Sequence, residues 1–198
     1  HVMVEKPLAR TRREADILAQ CAEEAEAAGI FSMPAMCMRF WPGWDWLKAA
    51  IVKESYGRVL SAHFRRLVTH PATGFYNSGE ECGGALLDAH IHDTDFVQWC
   101  FGMPQSVSSH GYCKITSGVD HVFTRYDFGS GGPMVTAEGG WAMAGGFPFT
   151  MQYTVNFEKA TAVYDNAAEA PLTLYRKGRA EAISLAEGMG YDYEIPYF

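Results

Sequence analysis

The chain has 198 residues, of which 48% are hydrophobic and 20% are charged, and its formal net charge at pH 7 is -7. This composition supplies enough apolar residues for a folded core and excludes disorder, collagen-like sequence and a small disulfide scaffold. The acidic balance, with scattered lysine and arginine, argues against nucleic-acid or acidic-membrane binding, because both need concentrated positive charge. The chain has no stretch of about 18 apolar residues that could span a membrane, and its first residues lack the basic-then-apolar order of a secretory signal. We therefore expect a cytoplasmic protein with reduced cysteines and no membrane or nucleic-acid partner.

The first 43 residues have the pattern of a strand, a helix and a second strand. The apolar run over residues 1–5 is the first strand, and a helix over residues 11–28 begins at the capping residue Thr11. A second apolar run covers residues 30–38. Elements of these lengths form a βαβ unit with parallel strands.

From residue 44 onward the pattern changes to that of a sheet domain. A helix over residues 44–53, a strand over 57–68 and a helix over 85–101 come first. Short β-type runs separated by glycine-rich turns follow, and they cover residues 106–115, 119–128, 134–141, 149–157, 161–164 and 172–175. Because successive strands with short connections pair as antiparallel neighbours, we expect a meander.

The predicted fold class is therefore α+β. It comprises a partial Rossmann βαβ unit in residues 1–43, followed by a mostly antiparallel open β-sheet domain packed with helices in residues 44–198.

Two groups of residues have the composition of a functional site. Glu5-Lys6-Pro7 follows the first strand, and ligands of parallel sheets bind at the carboxyl ends of the strands. In a continuous helix, Asp88 and His92 are i,i+4 neighbours, so the carboxylate can orient the imidazole as a base near neutral pH. The preceding Gly83-Gly84 pair leaves the amino end of this helix open to substrate oxygens.

Taken in order, several segments form a pattern of motifs. They are His1-Val-Met-Val with Glu5-Lys6-Pro7-Leu8-Ala9, the strand-ending Arg39-Phe40, Tyr56-Gly57-Arg58-Val59, and Gly83-Gly84-x-Leu-x-Asp88-x-x-x-His92-x-x-Asp95. This pattern resembles the glucose-fructose oxidoreductase / inositol dehydrogenase / MocA family of NAD(P)-dependent oxidoreductases. The resemblance touches most of the chain, and the two motifs at this separation are far more specific than either alone.

The resemblance implies hydride transfer between NAD or NADP and a small-molecule sugar or polyol. It makes Lys6, Asp88 and His92 the catalytic residues, with His92 as the base, Asp88 orienting it and Lys6 binding the same substrate oxygen. It places Glu5 and Lys6 at the cofactor, and Arg39, Asp88 and His92 at the substrate. Arg39 is equally compatible with a structural ion pair at a strand end. The resemblance also implies a Lys6-Pro7 bond that is often cis, and a homo-dimer or tetramer formed through the sheet domain.

Three features depart from the family pattern. His90 and Cys82 stand where the family usually has small residues, and we expect an imidazole at position 90 either to narrow the site or to alter its substrate. The third departure is the glycine-rich loop that cradles the cofactor pyrophosphate, for which the chain has no match. We therefore expect the fragment alone to bind NAD(H) weakly. We further expect a chain truncated at both ends, beginning inside the cofactor domain and ending where residues 191–198 start a closing helix.

Two alternatives belong to other classes of protein. Asp88, His90 and His92 also fit the D-x-H-x-H string of metal-dependent amidohydrolases, in which activated water makes a hydrolase. The second alternative is a non-catalytic, oligomerising sheet domain, whose large side chains are Phe123, Tyr126, Phe128, Trp141, Phe147, Phe149, Tyr153 and Phe157.

Overall fold

The computed structural model describes all 198 residues, and their first part is a small βαβ unit. Strand β1 (Val2–Glu5) pairs in parallel with β2 (Ser32–Ala35), and helix α1 (Arg12–Ala27) connects them. The helix begins at the predicted capping box, in which Thr11 and Glu14 bond each other's backbone N–H groups. The prediction of a second strand reaching residue 38 is wrong.

Residues Cys37–Arg39 form a 3-10 helix instead, so Arg39 does not end a strand. The strand is short because Pro34 lies within it and cannot donate a ladder hydrogen bond.

Helix α2 (Trp44–Val52) and strand β3 (Val59–Thr69) agree with the predicted elements. The polar loop after β3 contains a 3-10 helix (Gly74–Asn77) and the short helix α3 (Gly79–Cys82). The prediction of a single helix over residues 85–101 is wrong. This part of the chain forms two helices, α4 (Gly84–Asp88) and α5 (His90–Phe101), which are separated at Ala89.

The remaining strands build an eight-stranded sheet with β3 near its centre. The strands are β4 (Ser106–Tyr112), β5 (His121–Asp127), β6 (Met134–Met143), β7 (Thr150–Phe157), β8 (Thr161–Asp165), β9 (Leu172–Arg176) and β10 (Arg179–Ala182). Their spatial order is β10-β9-β8-β7-β3-β6-β5-β4, and all neighbours are antiparallel except β3 and β6. The prediction of a simple meander is therefore wrong at the centre, where β3 separates β6 from β7, while the α+β class is confirmed.

The core lies between this sheet and helices α2 and α5. Its centre is Trp44, fully buried, with ring centroids of Phe96, Tyr153 and Phe64 at 4.8, 5.5 and 5.7 Å. These edge and tilted ring contacts bury large apolar area and hold α2 and α5 against the sheet.

Several aromatic residues considered for an oligomerisation surface belong to the interior instead. Four are buried, namely Tyr126, Trp141, Tyr153 and Phe157. Phe123 and Phe149 are 44% and 46% exposed.

A final helix, α6 (Gly190–Tyr197), returns to the βαβ unit and packs on the 3-10 helix after β2. None of the helices combines the length and the apolar character needed to cross a bilayer. All five cysteines are free thiols.

Candidate active site

The end of β1 meets the end of α4 through one ion pair. The Lys6 Nζ donates to the backbone carbonyl of Asp88 at 2.8 Å and to its Oδ1 at 2.9 Å. Both side chains are largely covered, yet each retains some exposure. The Lys6-Pro7 peptide bond is cis. The structure thus brings together two of the predicted catalytic residues, as an ammonium and a carboxylate facing the same small region.

His92 lies one turn into α5, beside this pair. Burial, together with the positive charges of Arg66 and Lys6, lowers the pKa of His92 to about 2. The imidazole is therefore neutral at physiological pH. Its Nδ1 is enclosed without a hydrogen-bond partner, so Nε2, which bonds no protein group either and is not enclosed, is the nitrogen left open to a ligand.

The predicted orientation of His92 by Asp88 is wrong. The carboxylate of Asp88 accepts from Lys6, and no hydrogen bond joins it to the imidazole. The physical reason is the break at Ala89, because the i,i+4 relation of residues 88 and 92 holds only on a continuous helix.

A buried ion pair behind the site was not predicted. Arg66 Nε and Nη2 each lie 3.1 Å from a carboxylate oxygen of Asp93, and the two side chains are 5% and 0% exposed. The guanidinium also lies over the ring of Trp44, 5.5 Å from its centroid. The pair fixes α5 to β3 directly behind His92 and supplies one of the charges that keep the imidazole neutral. Its sequence signal was the arginine at an inward position of β3, in alternation with Ala62 and Phe64.

Arg39 is anchored to α5 one turn beyond His92. Its Nε donates to Asp95 Oδ2 at 2.9 Å, and its Nη2 bonds Oδ1 of the same carboxylate. This bidentate pair, with desolvation opposing it, raises the pKa of Arg39. The guanidinium also lies 5.7 Å from the ring centroid of Trp99. Arg39 therefore forms a structural ion pair, which was one of the two roles compatible with its sequence position. It lies on the 3-10 helix and not at the end of a strand.

His90 faces the sheet, so the expectation that it narrows the site is wrong. Its Nε2 bonds Thr124 Oγ1 at 2.9 Å, and a side chain at Gly139 would lie 2.6 Å from its Nδ1. His90 therefore fills the space that Gly139 leaves between α5 and β6.

The glycine pair before α4 is closed to ligands. Gly83 and Gly84 both adopt positive φ angles, and a side chain at Gly84 would lie 2.7 Å from the backbone of Val119. The Cys82 Sγ accepts from the Gly84 N–H at 3.4 Å and is buried. The expectation that this terminus binds substrate oxygens is thus wrong, because Gly84 packs against the loop before β5 and a side chain at Gly83 would collide with Leu87.

The sheet domain matches a known protein family. The model of the GFO/IDH/MocA C-terminal domain covers residues 44–163, more than half of the chain. The chain belongs to the GFO/IDH/MocA family. The resemblance drawn from the motifs is thereby confirmed.

Curated relatives of the family are similar over the same region. Trans-1,2-dihydrobenzene-1,2-diol dehydrogenase of Macaca fuscata fuscata is 31% identical over 127 residues, which are 62% of this chain and 36% of that protein. The protein of the same name from Homo sapiens is 29% identical over 127 residues, with the same shares. The chain thus spans about a third of the length of these relatives.

Solved structures of the family share the fold at low identity. Levoglucosan dehydrogenase in complex with NADH and levoglucosan superimposes with a TM-score of 0.83 at 20% identity, over 100% of this chain and 62% of that one. UDP-N-acetylglucosamine 3-dehydrogenase from Acidithiobacillus ferrooxidans gives 0.78 at 20% identity, over 99% and 59%. The βαβ unit and the sheet domain therefore belong to one known arrangement.

The amidohydrolase alternative is not favoured. Asp88 bonds Lys6, while His90 bonds Thr124 on the sheet, so these two side chains of the D-x-H-x-H string are held by different partners. Together with family membership, this separation favours an oxidoreductase.

Proposed function

We propose that the chain forms the substrate-binding and proton-transfer part of an NAD(P)-dependent dehydrogenase acting on a hydroxyl-bearing sugar, polyol or cyclic diol. The observation that carries the proposal is the meeting of Lys6, Asp88 and the neutral ring of His92 at the carboxyl end of a parallel strand. The relatives named above are dehydrogenases, and their names specify a cyclic diol, an anhydrosugar and a nucleotide sugar.

The residues present fit the reactive end of a nicotinamide cofactor. Glu5 is the last residue of β1 and is exposed, and Lys6 follows it with an ammonium that is held by Asp88. The Nε2 of His92 bonds no protein group, and we assign this nitrogen to the same region because Lys6 is one of the charges that lower the pKa of the ring. We assign Glu5 and Lys6 to the cofactor and Lys6, Asp88 and His92 to the substrate. The NAD(P) phosphates need other residues, because the chain contains no glycine-rich fingerprint.

In the proposed reaction, the chain's residues manage the substrate oxygen. Bound nicotinamide supplies the acceptor for the hydride that leaves the substrate carbon. His92 Nε2 accepts the hydroxyl proton as the C–O bond gains double-bond character. The Lys6 ammonium stabilises the negative charge that develops on the oxygen, and Asp88 holds that ammonium in place.

The low pKa of His92 is compatible with this role. Two positive charges and burial oppose protonation of the ring in the free protein. Negative charge that develops on the adjacent substrate oxygen favours protonation of the ring and so opposes the effects of burial and of the two positive charges. The ring therefore accepts the proton only while the substrate reacts. Arg39, tied to Asp95, is proposed to bind the substrate through its free Nη1.

The test uses the protein encoded by the whole reading frame that contains these residues. Reduction of NAD⁺ and of NADP⁺ is measured with cyclic diols, sugars and polyols, beside a matched set of deoxy compounds without the hydroxyl. We expect turnover with at least one hydroxyl compound and none with its deoxy analogue. Absence of turnover across the set, with a folded protein that binds NADH, would overturn the proposal.

We further propose that copies of the chain associate through the face of the sheet that carries no helices. Phe123 on this face is 44% exposed and stacks on His63 at a centroid distance of 6.0 Å. Tyr112, 47% exposed, stacks on His121 of the same face. Exposed flat aromatic area of this kind favours association.

Sedimentation of the Phe123→Glu variant tests this proposal. We expect dimers or tetramers for the unmodified chain and monomers for the variant. Phe75→Glu, at an aromatic position away from the sheet that is 55% exposed, is the matched control and should leave the assembly unchanged. An unmodified chain that sediments as a monomer at micromolar concentration contradicts the proposal.

A further inference from the structure

Helix α6 has an inverted distribution of side chains. Its two buried residues are Gly190 and Glu194, so the only side chain it inserts beneath itself is a carboxylic acid. Its large apolar residues are exposed instead, namely Tyr191, Tyr193, Ile195 and Tyr197. A surface helix normally buries its apolar stripe. The packing of α6 against the rest of the chain therefore depends on the buried carboxyl group of Glu194 and not on an apolar stripe.

Glu194 is enclosed without a partner. The residue is 1% exposed, its Oε1 is enclosed without a hydrogen-bond partner, and no hydrogen bond or ion pair joins the carboxyl group to another side chain. An isolated carboxylate is very unfavourable in such a place, whereas the neutral acid is tolerated. Burial and then the negative charge of Glu5 raise the pKa of Glu194 above its ordinary value of 4.5.

The groups around Glu194 offer no cation to stabilise its ionised form. Glu5 at the end of β1 adds a negative charge, and Cys37 on the 3-10 helix carries a thiol whose pKa is raised, chiefly by burial. Tyr191, on α6 itself, is another uncharged group beside this thiol, and burial raises the pKa of Tyr191 to about 12. Arg66 acts on Cys37 and does not contribute to the shift at Glu194. Loss of the Glu194 proton is thus uncompensated from every side.

The other contacts of α6 lie at its two ends. Gly190 lies against the carbonyl of Cys37, where a side chain would collide, and Tyr191 meets Trp41 edge-on with centroids 6.2 Å apart. At the other end Tyr197 contacts Phe40 at 5.1 Å. These contacts are partly exposed, so little buried apolar area opposes the release of the helix.

We propose that α6 is a pH-dependent latch on the 3-10 helix Cys37–Arg39, docked while Glu194 is a neutral acid and released when Glu194 loses its proton. Release withdraws α6 from the 3-10 helix that carries Cys37 and Arg39, so rising pH exposes that helix. The proposal concerns the docking of a helix and does not depend on the dehydrogenase activity.

Amide hydrogen exchange of residues 186–198, corrected for the intrinsic pH dependence, tests the latch between pH 4 and 8. The docked state binds one more proton than the released state above the ordinary pKa of 4.5. Protection of α6 should therefore fall about tenfold per pH unit above that value, until the docked-state pKa is reached. Glu194→Gln, which cannot ionise, should keep α6 protected across the whole range.

Two further variants sharpen the result. Glu187→Gln removes an exposed acid close to the same helix and should retain the wild-type pH dependence. Glu5→Gln removes the neighbouring negative charge and lowers the docked-state pKa of Glu194. The fall in protection should therefore end at a lower pH, and more protection should remain at pH 8 than in the unmodified chain. If Glu194→Gln fails to fold, Glu194→Leu provides the non-ionising comparison. Protection independent of pH in the unmodified chain, or unchanged pH dependence in the non-ionising variant, overturns the proposal.

Discussion

Lys6 and Asp88 lie 82 positions apart in the chain and are joined by two hydrogen bonds of 2.8 and 2.9 Å from one ammonium group. The pair connects the carboxyl end of β1 to the last residue of α4, and so links the βαβ unit to the sheet domain at the candidate site. Because one of the two bonds goes to a backbone carbonyl, Lys6 also satisfies an acceptor at the carboxyl end of a short helix.

Replacing Lys6 by methionine removes the ammonium while retaining much of the aliphatic stem. In the protein encoded by the whole reading frame, we expect kcat for oxidation of the alcohol substrate to fall by about 10²–10⁴-fold. The reason is that the negative charge developing on the substrate oxygen loses the neighbouring ammonium. Steady-state kinetics measure the effect. Lys53→Met, at an exposed position at the end of α2, is the matched control and should be unchanged. Turnover within threefold of the unmodified enzyme would remove Lys6 from the mechanism.

The depressed pKa of His92 predicts a loss of stability in acid. The unfolded chain protonates His92 near its ordinary pKa of 6.5, while the folded chain resists protonation down to about 2. Stability is therefore complete above pH 6.5 and falls as the pH drops below it, by about 1.4 kcal/mol per pH unit from this residue. Urea denaturation measures the free energy of unfolding at pH 7.5 and at pH 5.0. The decrease in this free energy between the two pH values should be roughly 2 kcal/mol smaller in His92→Gln than in the unmodified chain.

The matched control for that measurement is His110→Gln. His110 lies exposed on β4, and its replacement should leave the acid-dependent loss as it is in the unmodified chain. Half-buried His63 and buried His90, whose pKa values are also lowered by desolvation, contribute the loss of stability that remains in both variants. An acid-dependent loss equal in His92→Gln and the unmodified chain would contradict the neutral, buried state of this ring.

The Arg66–Asp93 pair predicts strong non-additivity. Arg66→Met or Asp93→Leu alone leaves a buried charge unpaired and should lower the free energy of unfolding by about 3–5 kcal/mol. The double replacement removes both charges from an almost fully enclosed position and should recover most of that loss. A double-mutant cycle by urea denaturation measures the coupling. Additive losses would mean that the two charges are stabilised independently.

His90 and Gly139 predict a compensating pair of substitutions. A methyl group at position 139 would lie 2.6 Å from His90 Nδ1, so Gly139→Ala should destabilise the chain by about 1–3 kcal/mol. In a His90→Ala background the same change occupies vacated space, and its cost should largely disappear. Thermal unfolding of the four variants gives the comparison. Equal costs in both backgrounds would show that His90 does not fill this space.

The sequence predicted helices and strands correctly where the interactions that define them join residues close together in the chain. Thr11 and Glu14 form their capping box within four residues, and the alternation in β5 and β7 depends only on which face of a strand is buried. The break in the helix before His92 could not be predicted from the sequence, because Ala89 has a high helix propensity and no local signal marks the end of a helix there.

The sequence by itself determined the α+β class, the family and the placement of Lys6 and Asp88 at the candidate site, because these follow from periodicity and from motifs of fixed spacing. The tertiary structure alone decided that β3 lies between β6 and β7, that Asp88 bonds Lys6 and not His92, and that Arg66 stands behind the imidazole. It also decided that Glu194 is enclosed without a partner. The physical reason is that strand order, the choice of ion-pair partner and the ionisation of a buried group depend on which distant segments of the chain pack against each other. The spacing of motifs and the composition do not specify those long-range contacts.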